Sequence, residues 1–244
     1  MKLLISNTPE ENGQLTADCV AEYINAAIQK RGHARILLST GASQFEFFEA
    51  LIKKEIDWTR VEGFHLDEYL GISIDHPASF RRYLKERFVS KTGISKFHYI
   101  NVEEDIEDEI EKITGALRSA PIDVGVIGIG VNAHIAFNDP PADVETDVAF
   151  KVVELDETCR KQQFDEGWFE TFKLVPKFAV TMTVKEILKC TAIVSCVPHA
   201  VKAQAVFDTL HHEISNLIPS TFLKTHADWS LFLDAASSKK LDQK

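Results

Sequence analysis

Short apolar segments alternate with segments of helical periodicity along almost the whole chain, and this alternation limits the fold more than any other feature of the sequence. Apolar runs predict buried strands at residues 34–38, 61–66, 97–101, 124–127, 150–155, 178–184, 192–197 and 230–233. Amphipathic spacing predicts helices at residues 15–32, 44–54, 79–89, 105–119 and 199–210. Such alternation favours an open, mostly parallel sheet with helices on both faces. We therefore predict a Rossmann-like fold of the α/β class.

The chain is predicted to form one domain that spans residues 1–244. This length is enough to bury a sizeable core. No linker rich in Pro, Gly or Ser interrupts the pattern, and we find no internal repeat. The tail after Ser237 is predicted to fray.

Composition argues against several classes of partner. The formal net charge of −10 disfavours nucleic acid, because an acidic protein gains little from a phosphate backbone. No segment approaches the roughly 20 apolar residues of a membrane span, and the first apolar run is too short for a signal peptide. The cysteines form no C-x-x-C pair, so reduced, buried thiols are expected. We therefore expect a cytoplasmic protein with no nucleic-acid or membrane partner.

Four loops that follow predicted strands contain nearly all of the candidate catalytic and binding residues. These loops lie at 39–43, 67–71, 128–140 and 198–202. In open α/β sheets, ligands bind at the carboxyl ends of the strands. We therefore expect the four loops to form one site.

The loop at 128–140 contains two glycines, a histidine, two amides and a carboxylate. Gly128 and Gly130 let the backbone approach a ligand closely. With Ala133 they match a loose dinucleotide fingerprint, but that motif must open a helix. Pro140-Pro141 follows too soon for a helix, so we reject a nicotinamide site.

Carboxylates and a histidine at two strand ends predict acid–base chemistry. His134 and Asp139 lie on a loop predicted to be non-helical, where they can face each other as an oriented pair. Asp67 and Glu68 are adjacent at another strand end, so one can line a pocket while the other packs or caps a helix. Each residue alone also suits an ordinary structural role.

Two further loops suggest an anion site. The turn at 39–43 joins a strand to a helix, so its backbone N–H groups can bind an anion, although this stretch alone slightly favours an ordinary capped turn. His199 and Lys202 lie three residues apart on one helix face and can meet a phosphate, with a solvated lysine as an equal alternative. No metal is predicted, because no established ligand spacing is present.

Four motifs resemble those of the glucosamine-6-phosphate deaminase (isomerase) family, which is related to the 6-phosphogluconolactonases. The motifs lie at 39–43, 66–71, 128–140 and 175–181, and the resemblance covers the chain from about residue 37 to residue 233. The third motif is the most specific, because its His-Ile-Ala-Phe-Asn run followed by an acid and a proline is similar to the deaminases rather than to the lactonases. The resemblance implies a fold of the deaminase and ribose-phosphate-isomerase type.

The resemblance also implies a mechanism that needs no cofactor and no metal. His134, oriented by Asp139, would open the sugar ring of glucosamine 6-phosphate. Asp67 would move a proton from C2 to C1, and water would then release ammonia and fructose 6-phosphate. Asn132 is included in the catalytic set. The residues implied to bind the substrate and its phosphate are Thr40, Gly41, Ala42, Ser43, Glu68, His199, Lys202 and Arg160.

Several residues depart from the family pattern. Asn132 stands where the family typically has an Asp beside the catalytic histidine, and Asp139 is one methylene shorter than the usual Glu. His199 replaces a usual Gly. The usual phosphate-binding Arg falls within 163–165, which has no basic residue, so Arg160 is the nearby substitute.

We predict an enzyme of amino-sugar metabolism that isomerises and deaminates glucosamine 6-phosphate. The alternatives are a 6-phosphogluconolactonase or a galactosamine-6-phosphate isomerase on the same scaffold, and a sugar-phosphate-binding protein that has lost catalysis. The region after Pro140 lacks most groups that bind an activating phosphosugar in hexameric bacterial deaminases, so no such activation is expected. The sequence leaves a homo-oligomer and the preference for the C4 epimer open.

Overall fold

The computed structural model describes residues 1–165 and 167–241. Its strands are Lys2–Ser6 (β1), Ala34–Leu38 (β2), Val61–His65 (β3), Asp67–Tyr69 (β4), Lys96–His98 (β5), Val124–Val126 (β6), Phe150–Glu154 (β7), Phe178–Met182 (β8), Ala192–Val197 (β9) and Trp229–Asp234 (β10). Its α-helices are Pro9–Arg31 (α1), Phe45–Leu51 (α2), Phe80–Leu84 (α3), Ser90–Thr92 (α4), Ile106–Arg118 (α5), Glu157–Asp165 (α6), Val184–Ile187 (α7) and Ala203–His211 (α8). A π-helical segment, Lys85–Val89, joins α3 to α4. Short 3₁₀ segments lie at Ala42–Gln44, Trp58–Arg60, Phe172–Leu174, Ala200–Lys202 and Pro219–Thr225.

Seven strands form a parallel sheet in the order β1-β10-β9-β6-β2-β3-β5. Its central strands are buried on both faces, as their continuous apolar runs predict. Helices α1 and α2 pack on one face, against a core that includes Ile36 and Leu38, while Leu37 points into the core on the other face. The predicted α/β fold with a mostly parallel sheet is confirmed. Strand β1, which pairs with β10 at one edge, was not predicted.

A second, three-stranded antiparallel sheet in the order β4-β8-β7 was also not predicted. Leu66 joins the two sheets, because its N–H donates to the carbonyl of Leu38 and its carbonyl accepts from the N–H of Met182. The chain therefore leaves the parallel sheet at His65 and enters the antiparallel sheet at Asp67. This transition fixes Asp67 at the carboxyl edge of the parallel sheet.

Helix α1 begins earlier than the predicted residue 15. The Thr8 side chain accepts from the N–H of Glu11, and Pro9 occupies the first turn, where its missing N–H costs nothing. The helix ends as predicted at Gly32, whose φ of 82° lets its N–H reach the carbonyl of Ile28. The start was missed because the apolar spacing begins later than the cap.

The carboxyl-terminal tail was predicted to fray after Ser237, and as far as Leu241 this is wrong. Ser237 and Ser238 are buried, the Ser237 N–H donates to Asp234, and Leu241 packs against the core. Residues 242–244 lie outside the described part of the chain. Among the described helices, none combines the length and the apolar character that crossing a membrane requires.

Candidate active site

The four predicted loops meet at the carboxyl edge of the parallel sheet. They contribute to one pocket, whose lining residues are Ser39, Thr40, Gly41, Ala42, Ser43, Gln44, Leu66, Asp67, Phe80, Gly128, Ile129, Gly130, His134, Ala136, Phe137, Gln163 and Lys202. Such crevices are where ligands bind in open α/β sheets. Residues 128–140 form turns and no helix, which agrees with the rejection of a dinucleotide fingerprint.

Asp67 begins β4 and lines the pocket with only 7% of its surface exposed. Burial, and then the neighbouring Glu68, raises the pKa of Asp67 well above its ordinary value. A carboxylate in this environment is a stronger base than one in water. Asp67 is therefore suited to take a proton from a ligand in the pocket.

Glu68 does not line the pocket, which corrects its implied place among the substrate-binding residues. Its carboxylate accepts from Ser79 Oγ at 2.8 Å and from the N–H groups of Phe80 and Arg81 at 3.1 and 2.9 Å. The Arg81 guanidinium lies 3.3 Å away. Glu68 thus fastens β4 to the start of α3, which is the packing and capping role that adjacent residues on a strand allow.

His134 and Asp139 are brought together as predicted. His134 Nδ1 lies 2.9 Å from Asp139 Oδ1. Asn132 joins the two residues, because its Oδ1 accepts from the His134 N–H at 3.2 Å and its Nδ2 donates to Asp139 Oδ1 at 3.0 Å. Since Nδ1 faces Asp139, Nε2 is the nitrogen left for a ligand.

The charge of Asp139 is maintained despite its partial burial. Burial alone would raise the pKa of Asp139, but close contact with His134 and the amide of Asn132 outweigh it and leave the pKa below its ordinary value. Asp139 therefore stays ionised and can orient the imidazole and stabilise its positive charge.

The backbone of this loop is shaped around the imidazole. A Cβ at Gly130 would lie 2.1 Å from His134 Nε2, so the ring occupies the space above this glycine. Ala133 and Ala136 adopt φ values of 64° and 50°, which glycine adopts more readily. Backbone of this kind often occurs at functional sites.

The turn after β2 forms the other side of the pocket. Gly41 has a φ of 102°, and the chain then enters a 3₁₀ turn and α2. The Tyr83 hydroxyl donates to the Gly41 carbonyl at 2.9 Å and so fixes the turn. Lys202, which is only 5% exposed, supplies a positive charge to the same pocket. Thr40 to Ser43 and Lys202 are therefore gathered as predicted.

Arg160 and His199 are not among the residues that line this pocket, and their predicted phosphate contacts need correction. The Arg160 guanidinium donates to the carbonyls of Val175 and Phe172 and lies over the Phe172 ring. The His199 N–H donates to Asp234, and its ring lies 3.9 Å from Glu46. Local partners, rather than the pocket, determine both orientations.

Several lining residues were not predicted. Gln163, which is 8% exposed, lines the pocket where the family pattern led us to expect an Arg. Gln44 is also buried, and its amide donates to the carbonyl of Cys196 at 3.1 Å. Phe80 and Phe137 stack on each other and form an apolar wall. A neutral amide or a phenyl ring has no reactive or charged group that would mark it as a site residue in the sequence. These residues are therefore identified as pocket-lining only in the structure.

Among the residues that the structure describes, one group of side chains could hold a metal ion, although no metal was predicted. It consists of His134, Asp139 and Cys159, whose ligand atoms lie within 4.8 Å of one another. All four cysteines are free thiols, and three of them are buried, as expected.

Comparisons with known proteins agree with the predicted resemblance. A sequence model of the family described as glucosamine-6-phosphate isomerases/6-phosphogluconolactonase matches residues 7–231. The chain is similar to the glucosamine-6-phosphate deaminase of Clostridium acetobutylicum, with 32% identity over 250 residues that cover 99% of this chain and 100% of that protein. It is also similar to the glucosamine-6-phosphate deaminase of Thermoanaerobacter pseudethanolicus, with 31% identity over 242 residues that cover 96% and 92% of the two chains.

Solved structures give the same result. A monomeric glucosamine-6-phosphate deaminase matches with a TM-score of 0.89 at 28% identity, over 98% of this chain and 99% of that one. A 6-phosphogluconolactonase from Thermotoga maritima matches with a TM-score of 0.80 at 16% identity, over 96% of this chain and 99% of that one. At that identity the second match shows a shared fold alone.

Proposed function

This chain belongs to the glucosamine-6-phosphate isomerase/6-phosphogluconolactonase family, and from that premise we propose that it converts glucosamine 6-phosphate into fructose 6-phosphate and ammonia. The main support for the proposal is the set of side chains that meet at one pocket. Asp67, His134 with Asp139 behind it, and the turn at 39–43 with Lys202 all line or support that pocket. A phosphorylated sugar that must undergo two proton transfers needs all of these parts.

The phosphate binds at the turn of Thr40 to Ser43. Backbone N–H groups there, at the start of a 3₁₀ turn and a helix, can donate to phosphate oxygens. The Lys202 ammonium supplies the compensating charge. This arrangement directs the sugar ring toward Asp67 and His134 on the other side of the pocket.

Ring opening is assigned to His134. Its Nε2 takes the proton from the C1 hydroxyl and delivers a proton to the ring oxygen, which breaks the bond between C1 and that oxygen and gives the open-chain aldehyde. Asp139 stabilises the imidazolium between these steps. Asn132 hydrogen-bonds to both residues and so fixes their relative position.

Isomerisation is assigned to Asp67. Its carboxylate removes the proton from C2 while the C1 oxygen takes up a proton, which forms an enediol-like amine. It then returns the C2 proton to C1 while the nitrogen on C2 gives up a proton, which gives an imine at C2. Water adds to the imine, and ammonia leaves with formation of fructose 6-phosphate. One carboxylate in a dry pocket can act in turn as base and acid, and its raised pKa favours both steps.

The direct test is to incubate the purified protein with glucosamine 6-phosphate and to measure ammonia and fructose 6-phosphate in equal amounts. Galactosamine 6-phosphate and 6-phosphogluconolactone are the parallel substrates. The proposal is supported if the protein converts glucosamine 6-phosphate but neither of the other two substrates. Hydrolysis of the lactone, faster turnover of the galactosamine ester, or tight binding without ammonia would each replace it with a different function.

A further inference from the structure

Cys159 has no part in the proposed reaction, yet its thiol lies beside the catalytic pair. It is fully buried on α6 and does not line the pocket. Its Sγ, a ring nitrogen of His134 and a carboxylate oxygen of Asp139 all lie within 4.8 Å of one another. The His134 nitrogen that faces Asp139 is Nδ1, at 2.9 Å. A thiol, an imidazole and a carboxylate therefore converge behind the ring that acts on the substrate.

Two atoms of this group have lone pairs or protons that the described residues do not engage in aligned hydrogen bonds. They are His134 Nδ1 and Asp139 Oδ2. Nδ1 is only 2.9 Å from Asp139 Oδ1, so this contact is close but poorly directed. Asp139 Oδ1 accepts from the amide of Asn132, and the Cys159 thiol is a further hydrogen-bond partner of the same carboxylate. Buried polar atoms without aligned partners call for an explanation.

The chemistry of the three donors fits a divalent ion of the zinc type. Zn²⁺ is bound by thiolate, imidazole and carboxylate ligands at about 2.0–2.3 Å, in tetrahedral geometry. Three tetrahedral ligands then lie roughly 3.3–3.7 Å apart, so donors within 4.8 Å need only small side-chain rotations. Two of the donors carry negative charge when bound, which balances the charge of the ion. Thiolate selects zinc over magnesium or calcium.

We propose that His134, Asp139 and Cys159 form a Zn²⁺-binding site that inhibits the enzyme. Zinc on Nδ1 separates the imidazole from Asp139 and holds it in a metal complex, so that His134 can no longer move a proton at the sugar ring. The inhibitory effect rests on the proposed function, whereas binding of the metal does not.

Binding is tested with the full chain, freed of metal by chelation, as wild type, Cys159→Ala and Cys190→Ala. Cys190 is the matched control, because it is a second buried free thiol whose Sγ packs against Gly125, away from the pocket. Titration with Zn²⁺ in a calorimeter is expected to give one site in the wild type and the control. We expect Cys159→Ala to weaken binding at least about 100-fold, since loss of an outer-shell partner alone costs 10–100-fold. Co²⁺ is expected to give a thiolate-to-metal absorption band that is absent in Cys159→Ala.

Folding and activity separate the remaining outcomes. Zn²⁺ is expected to raise the melting temperature of the wild type but not of Cys159→Ala, and Cys159→Ser repeats the test with a residue of similar size. Zn²⁺ should inhibit the wild type and Cys190→Ala, a chelator should restore them, and Cys159→Ala should stay active. Equal zinc affinity in wild type and Cys159→Ala, or no thiolate band, overturns the site while leaving the proposed reaction intact. If the wild type binds zinc through Cys159 but produces no ammonia, the zinc site stands and the proposed reaction is wrong.

Discussion

Two clusters of charged and polar side chains lie on opposite sides of β4 and differ in how completely their members are paired. The pocket cluster consists of Asp67, His134 and Asp139. The Glu68 cluster consists of Glu68, Ser79, Arg81, Asn101 and Glu103. Asp67 and Glu68 are adjacent in sequence and both are buried, yet they belong to different clusters.

In the Glu68 cluster the charged groups have several partners. Glu68 accepts from one hydroxyl and three backbone N–H groups and faces a guanidinium. That guanidinium, on Arg81, also donates to Asn101, to Glu103 and to the carbonyl of Ile72. Such a network holds β4 and α3 together, and its removal exposes unpaired charge.

In the pocket cluster the groups are less completely paired. Asp139 Oδ2 and His134 Nδ1 lack aligned hydrogen-bond partners among the described residues. Burial and the neighbouring Glu68 raise the pKa of Asp67. Burial also raises the pKa of Glu68, but hydrogen bonds to that carboxylate partly offset the effect. Burial alone therefore does not distinguish Asp67 from Glu68, whereas the completeness of their hydrogen bonding does.

The largest expected effect is the loss of activity in Asp67→Asn. An amide cannot take the C2 proton, so kcat should fall by roughly 10²–10⁴-fold, the usual contribution of a positioned acid or base. The product assay for ammonia measures it. In the wild type, activity should rise with pH as Asp67 loses its proton. A variant that keeps wild-type activity would remove Asp67 from the mechanism.

The same variant should be more stable than the wild type at neutral pH. Burial raises the pKa of Asp67, so between the ordinary pKa and the raised one the unfolded chain has lost a proton that the folded protein keeps. Stability therefore falls as pH rises through this window. Asparagine removes this cost, and the gain in melting temperature should grow with pH and disappear below the ordinary pKa. Lower stability of Asp67→Asn at neutral pH would contradict the comparison.

Glu68→Gln should have the opposite pattern, with lost stability and retained chemistry. The new N–H₂ group would replace one of the two oxygens and so face the N–H of either Phe80 or Arg81. It would also leave the Arg81 charge partly unpaired. We expect a loss of about 3 kcal/mol in the free energy of unfolding, the scale for breaking a buried pair. Chemical denaturation measures this loss. The kcat per folded molecule, assayed well below the melting temperature, should stay within about tenfold of the wild type; a larger fall would give Glu68 a catalytic role.

The sequence predicted the pocket cluster more successfully than the Glu68 cluster, and the reason is physical. Residues at the ends of parallel strands meet at one edge whatever the details of packing, so Asp67, His134 and Asp139 could be placed together. The role of Glu68 depends on Arg81, which follows a turn whose path the sequence does not reveal. Arg160 was expected at the phosphate, but its guanidinium donates instead to the carbonyls of Phe172 and Val175, which the sequence alone does not bring together.

The antiparallel sheet was missed because a strand pattern reveals burial and not direction. The segments at 150–155 and 178–184 were correctly predicted as strands, but periodicity cannot show that they pair with each other and with β4 instead of joining the parallel sheet. Strand β1 was missed because Leu3 and Ile5 are exposed at the sheet edge, within a run too short to distinguish from a disordered start.

A smaller effect is expected from Asn132→Asp, which introduces the acid typical of the family. In this structure the Asn132 amide donates to Asp139, and a carboxylate there cannot donate. Two carboxylates about 3 Å apart would raise the pKa of Asp139, so the acidic limb of the pH profile should move to higher pH. Activity at neutral pH should fall by about tenfold. Asn132→Ala, which removes the donor without adding charge, is the control and should leave that limb closer to the wild type. Higher activity in Asn132→Asp would show that the family's acid is the better partner.

The smallest expected effect concerns His199, which lies at the edge of the pocket in a backbone conformation that favours glycine, with φ 79° and ψ 142°. Glycine relieves this backbone strain, which stabilises the folded protein, but it also makes the unfolded chain more flexible, which offsets part of the gain. We therefore expect His199→Gly to raise the free energy of unfolding by about 1 kcal/mol. His212→Gly is the matched control, because His212 has a φ of −90° and should gain nothing. The KM for glucosamine 6-phosphate should not change in His199→Gly, since the ring does not line the pocket. A clear rise in KM would restore His199 to the phosphate site and would show that the pocket extends beyond its present lining when substrate binds.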